Sequence, residues 1–186
     1  MRSVLVYPFY TIGHATRPID EFVDLLQNAQ VTLVADVRTV PRSRTNPQYN
    51  HETLPQALEP FAIGYRHIAA LGGLRGKNRD VPASINAFWQ NNSFHNYADY
   101  AMSESFRNGL TQLLDLGHSQ RCAIMCAETL WWRCHRRIIA DYLLAVGETV
   151  FHIVGLRRTE PALMTAAARW HSSGFLTYPD PCEGTG

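Results

Sequence analysis

The chain predicts a single α/β domain: a mainly parallel sheet of about five strands with helices on both faces, a Rossmann-like three-layer arrangement. Three observations predict it. Short apolar runs alternate with segments of helical period, as in successive βαβ units. One run, residues 31–37, is apolar almost throughout, as a strand covered on both faces must be. Polar residues gather just past the ends of the runs, where open parallel sheets hold their ligands.

Taken in order, residues 9–12 (FYTI) form a first strand that Gly13 ends. Pro18 suits the first position of a helix, and Ile19, Phe22, Val23, Leu25 and Leu26 supply its apolar stripe, with Asp20, Glu21 and Asp24 on the early turns. The run at 31–37 ends in Asp36 and Val37 and is followed by Arg38. The stretch TVPRSRTNPQYN is a loop by composition. A short helix over 54–61 leads to a strand near 65–68, then to the glycine-rich basic loop LGGLRGKNRD. Residues 82–100 carry aromatics without a clean period. Phe106, Leu110, Leu113 and Leu114 support a helix over 101–116, which Gly117 is expected to stop. Cys122–Cys126 (CAIMC) is a buried strand. A helix over 133–145 carries Ile138, Ile139, Tyr142, Leu143 and, at its end, Val146 toward the core, Gly147 ends it, and 149–154 is the next strand. Thr159-Glu160-Pro161 reads as the start of a last short helix, and the tail YPDPCEGTG as loosely held. Residues 1–155 are thus one α/β domain, and 156–186 a C-terminal extension with one short helix and a loose tail.

The 186 residues are 46% hydrophobic and 18% charged, enough for one sizeable core. Seventeen basic and 16 acidic groups leave a formal charge of +1, which excludes a globally basic nucleic-acid coat and an acidic disordered tail. All but one of the basic residues are arginine, the exception being Lys77. Two stretches hold the positive charge: residues 36–80 and 121–137 are each net +3, and the other stretches are net negative. The start MRSVLVYPFYTIGHA has an apolar run broken by Pro8 and no small-x-small cleavage site, so no signal peptide is expected. No apolar stretch is long enough to span a bilayer. Cys122, Cys126, Cys134 and Cys182 fit neither paired zinc knuckles nor a secreted disulfide scaffold, so a reducing, cytoplasmic setting is expected.

In a parallel sheet, His14, Asp36, Arg38, His67, Cys126 and Glu128 would leave strand ends on one edge. Cys134, Ile138 and Tyr142 lie at i, i+4 and i+8, which sets Cys134 and its neighbour His135 above the strand ends at a helix N-terminus. Free N–H groups there favour anions and lower a thiol pKa. Cys126, Glu128, Cys134 and His135 are zinc-ligand types, but their spacing matches no known knuckle, and no metal site is assigned. No cofactor is named either. Trp131 and Trp132 are expected to bury against the sheet, base stacking being the alternative.

The ordered motifs Thr11-Ile12-Gly13-His14, Asp36-Val37-Arg38 with Pro41 and Ser43-Arg44, Tyr65 with His67, Leu71-Gly72-Gly73, Cys126-Ala127-Glu128 and Cys134-His135-Arg136 resemble the bacterial domain of unknown function 488 family. The resemblance runs from about residue 10 to residue 155. It implies a three-layer α/β domain and brings no catalytic role. It marks His14, Asp36, Arg38, Ser43, Arg44, Tyr65, His67, Cys126, Glu128, Cys134, His135 and Arg136 as functional positions. The loop Thr-Leu-Trp-Trp-Arg after Glu128 is more aromatic than the family pattern.

Three functions compete. The first is an enzyme acting on a phosphorylated or nucleotide-like ligand. Arg38, Arg44 and Arg136 would hold the anion, with His14, Ser43, Tyr65, His67 and Cys134 also lining the ligand. Cys126 would be the nucleophile, or Glu128 and His135 an acid–base pair, with Asp36 in the catalytic set. The second is rhodanese- or cysteine-phosphatase-like chemistry at Cys126, although Arg133 falls one position late for the phosphatase loop, which also lacks glycine. The third is a non-catalytic nucleotide or nucleic-acid binding module. The expected partner is a small anionic ligand or nucleotide, with nucleic acid as the alternative and no membrane.

Overall fold

The computed structural model describes residues 7–180; the expectations resting on the first six residues, on Cys182 and on the last residues of the tail lie outside the described residues. The elements are β1 (Phe9–Gly13), α1 (Ile19–Asn28), β2 (Leu33–Asp36), α2 (Leu54–Leu58), β3 (Gly64–His67), α3 (Asn92–Ala101) and α4 (Glu104–Ser119), then β4 (Cys122–Cys126), α5 (Arg136–Ala145), β5 (Val150–Gly155), β6 (Arg158–Pro161), β7 (Arg169–His171) and β8 (Phe175–Thr177). Six strands form one sheet in the order β3-β2-β4-β1-β5-β6. All pairings are parallel except that of β6, which runs antiparallel to β5 at the edge. The α/β class and the parallel sheet are as the sequence predicts, with one strand more. No helix among the described residues is long and apolar enough to cross a membrane.

Two apolar layers cover the sheet. On one face the α1 residues Phe22, Val23, Leu25 and Leu26, with Leu54 and Leu58 of α2, pack on Ile12, Val34, Ala123 and Met125. On the other, Tyr97, Phe106, Leu110, Leu113, Ile138, Ile139 and Tyr142 pack on Phe9, Leu33, Ala35, Cys122 and Ile124. Burying each large apolar side chain of this kind contributes roughly 1.5–3 kcal/mol. Alternation along β4 sends Ala123 and Met125 to the first face, and Cys122 and Ile124 to the second.

This layering positions the site. The chain leaves β1 and β2 toward the α1/α2 face, but leaves β4, which lies between them, toward the α5 face. Adjacent connections diverging to opposite faces open a crevice at the carboxyl ends of these strands. The register levels those ends: Gly13 pairs with Cys126, and Asp36 with both Met125 and His67.

Four local expectations are corrected. The helix expected from Thr159 is the edge strand β6, with Thr159 paired to Ile153 and Pro161 at the strand end, where a missing N–H does no harm. The tail is held as far as it is described: Tyr178, which follows the β7–β8 hairpin, is fully buried and donates its hydroxyl to Asp141 at 3.0 Å. Gly117 does not stop its helix; it lies inside α4, where a Cβ would come within 2.1 Å of the Phe9 ring. The helix expected at 101–116 is preceded by a second one, α3, with a break at Ser103, whose side chain accepts from the Phe106 N–H as an N-cap.

Candidate functional site

The strand exits surround a pocket of about 590 Å³, within the range usual for small-molecule sites. One wall comes from the segment after β1 (His14, Ala15, Thr16), another from the loop after β2 (Arg38 to Asn46), and a third from Cys126, Ala127, Glu128, Arg133, Cys134 and His135. Gly73, Leu74, Ser93 and Phe94 close the remaining side.

Asp36 and Arg38 form the frame of the β2 loop. Asp36 is fully buried and accepts from the Arg38 backbone N–H at 3.0 Å, from its Nε at 2.9 Å and from its Nη2 at 2.6 Å, while the Tyr65 hydroxyl donates to it at 2.7 Å. Arg38 also donates to the Tyr49 carbonyl at 2.6 Å and, through Nη1, to His14 Nε2 at 3.3 Å. His14 donates Nδ1–H to the Ala15 carbonyl at 2.8 Å and stacks on Tyr49. Burial, and to a lesser extent the Arg38 and Arg136 charges, push its pKa down to about 4, so this imidazole is neutral and accepts from Arg38. His67 donates Nε2–H to the Arg38 carbonyl at 2.8 Å. Asp36, Tyr65 and His67 are therefore braces of the Arg38 loop and do not line the pocket.

A sulfur–imidazole cluster forms the pocket floor. Cys134 Sγ lies 3.6 Å, and Cys126 Sγ 4.0 Å, from His135 Nδ1. Arg136, almost wholly buried, donates its Nε–H to Cys134 Sγ at 3.2 Å and an Nη2–H to the Glu128 carbonyl. Burial opposes ionisation of Cys134, but a hydrogen bond from the Cys126 thiol and the charge of Arg136 outweigh it, so Cys134 is held well below the usual thiol pKa. The same shared proton, with burial, pushes Cys126 up.

His135 is fixed from three sides. Its Nε2 lies 3.0 Å from the Val37 carbonyl, and the Tyr97 ring packs edge-on at 4.9 Å between centroids. At Gly73 a Cβ would stand 2.4 Å from Nδ1 and 2.8 Å from both ring atoms beside it, so the glycine backbone lies over the ring face. Close approach, not backbone conformation, requires glycine here. Gly13 serves likewise, since a Cβ would meet the Glu128 carbonyl at 2.0 Å.

The residues singled out in the sequence divide into three groups. His14, Arg38, Ser43, Cys126, Glu128, Cys134 and His135 line one pocket. Asp36, Tyr65, His67 and Arg136 stand behind its walls. Arg44 faces a neighbouring concavity instead. The charges of Arg38 and Arg136 both act on His14, but both guanidiniums are engaged inside the protein. The arginines open to the pocket are Arg133, exposed and with its side chain free of hydrogen bonds and ion pairs among the described residues, and Arg42, in an exposed pair with Glu52. Glu128 accepts from the Leu130 N–H at 3.0 Å through one carboxylate oxygen. The N–H groups of Arg133 and Cys134 bond back to Leu130 and Trp131 within the loop, so these amides are not available to cradle an anion at Cys126. Trp131 stacks on His152 at 4.1 Å, while Trp132 is 46% exposed.

The sequence reading missed Tyr97, Ser93 and Phe94. Phe94, Tyr97, Ala98 and Ala101 recur at i, i+3, i+4 and i+7, and the Asn91 side chain caps their helix by accepting from the Ser93 and Phe94 N–H groups.

The family model described as Domain of unknown function DUF488 matches residues 18–143, about two thirds of the chain. No curated protein and no solved structure matches significantly.

Proposed function

The chain belongs to the DUF488 family, and from that premise we propose that it is an enzyme acting on a small phosphorylated or nucleotide-like ligand. One observation carries the reading. A single pocket at the switch of the sheet holds a free cationic rim residue, Arg133, and a floor of titratable groups, Glu128, Cys126, Cys134 and His135. A guanidinium fork suits a phosphate. Arg42 can turn from Glu52 to the same anion at little cost, because exposed ion pairs are weak. Ser43, Thr45 and Asn46 add hydrogen-bonding groups, and Phe94, Leu74 and Val40 offer an apolar side to the rest of the ligand.

In this reading Glu128 is the general base, one of its oxygens fixed by the Leu130 N–H. His135 is a poor acid–base partner for the ligand, since Nε2 faces the Val37 carbonyl and Nδ1 the two sulfurs. The anion-holding role passes from the engaged Arg38 and Arg136 to Arg133 and Arg42.

The test is a panel of nucleotides and sugar phosphates, with binding read by calorimetry and turnover by product analysis. Glu128→Gln should keep ligand binding and lose turnover, and Arg133→Ala should weaken binding by about tenfold or more, as removal of a charge-assisted contact does. Turnover that survives in Glu128→Gln, or binding indifferent to Arg133, overturns the assignment.

A further inference from the structure

The geometry points to a divalent-metal site of the zinc class on the pocket floor, ligated by Cys126 Sγ, Cys134 Sγ and His135 Nδ1. These three atoms all lie within 4.8 Å of one another. Zinc–sulfur bonds of about 2.3 Å and zinc–nitrogen bonds of about 2.0–2.1 Å put tetrahedral ligand atoms roughly 3.6–3.8 Å apart. The sulfur–nitrogen separations are 3.6 Å for Cys134 and 4.0 Å for Cys126, so the first fits as it stands and the second needs a shift of a few tenths of an ångström. Two thiolates and an imidazole select zinc, or cobalt in its place, over magnesium or calcium.

A second observation concerns which nitrogen is free. A carbonyl oxygen only accepts, so the Val37 carbonyl at 3.0 Å requires the hydrogen of His135 to sit on Nε2. Nδ1 is then the lone-pair nitrogen, and it is the one that faces both sulfurs. An imidazole anchored through its far N–H to a backbone carbonyl is the usual outer support of a metal-ligating histidine. Gly73 covers the ring face and leaves the in-plane lone pair unobstructed. The Arg136 Nε–H bond to Cys134 Sγ supplies the same kind of outer support to a thiolate ligand.

On binding, the metal forms bonds to the two sulfurs and to Nδ1, and remaining thiol hydrogen leaves as a proton to solvent. Three protein ligands leave a fourth position for water or a ligand group, the pattern of catalytic rather than structural zinc sites. All three ligand residues line the pocket, so that position opens where the phosphorylated ligand is proposed to bind. The metal inference does not rest on that ligand, because the metal can be titrated alone.

The experiment is equilibrium dialysis of the full chain, in a Cys182→Ser background, against Zn²⁺ and against Co²⁺. One equivalent per chain is expected, and the cobalt form should show a thiolate-to-metal charge-transfer band with the intense visible bands of tetrahedral coordination. Cys134→Ser and His135→Ala should each weaken binding at least about 100-fold, while Cys122→Ser, buried away from the cluster, should not. A wild-type chain without the charge-transfer band, or equal affinity in wild type and Cys134→Ser, overturns the site. If Cys134→Ser fails to fold, the wild-type cobalt spectrum decides alone. A failed metal titration leaves the Arg133 binding result standing, so the two readings fail separately.

Discussion

Replacing Asp36 by Asn removes a charge and almost no volume. Asp36 is fully buried, and Arg38 is 6% exposed, so water cannot replace what is lost. The carboxylate accepts from the Arg38 backbone N–H, Nε and Nη2 and from the Tyr65 hydroxyl. An asparagine keeps one acceptor oxygen and turns an NH₂ toward donors. Removing one partner of such a buried pair leaves an uncompensated guanidinium, which costs about 3–5 kcal/mol. With a urea m value near ~2 kcal/mol/M, the unfolding midpoint should fall by about 1.5–2.5 M. Tyr65→Phe removes one hydrogen bond to a charged group and should cost about 1.5–3 kcal/mol. Urea unfolding followed by tryptophan fluorescence measures both. A loss below about 1 kcal/mol in Asp36→Asn would show that Arg38 finds other partners, and that the brace is not what holds the β2 loop.

Two further outcomes follow from the same geometry. Gly73→Ala places a methyl against the His135 ring, which must move; a loss of about 1–3 kcal/mol is expected, with faster reaction of Cys126 with a thiol reagent. His14 and His152 both have pKa values lowered to about 4, mainly by burial, so between pH 6.5 and pH 4 the unfolded chain binds more protons than the folded one. Stability is therefore full above this window and falls as pH drops through it, each histidine contributing up to about 1.4 kcal/mol per pH unit. Replacing His152 by Gln should flatten the measured slope of unfolding free energy against pH; an unchanged slope would show that His152 is not buried in its neutral form.

The sequence carried the sheet because its strands are short, apolar and separated by helical periods. It also carried the edge at which the candidate site lies, because a parallel sheet aligns strand exits whatever the loops do. Helix boundaries were less legible where a glycine had a packing role. Gly117 looks like a stop and is instead the gap that admits Phe9. Thr159-Glu160-Pro161 has the composition of a helix start, yet an open sheet edge beside β5 captures it as a strand. In the site, residue type located the arginines but not their partners. Arg38 lies two residues from Asp36 and closes on it, a pairing that spacing hints at and only the fold decides. Tyr97, more than thirty residues before His135, packs on it through tertiary contact with no local motif.

The proposed function places a small phosphorylated ligand at Arg133, in the pocket above β1, β2 and β4. The most direct measurement is native mass spectrometry of the full chain after equilibration with a small-molecule cell extract. One phosphorylated adduct per chain is expected, which wild type retains and Arg133→Ala loses. No adduct in wild type, or the same adduct in both, would contradict it.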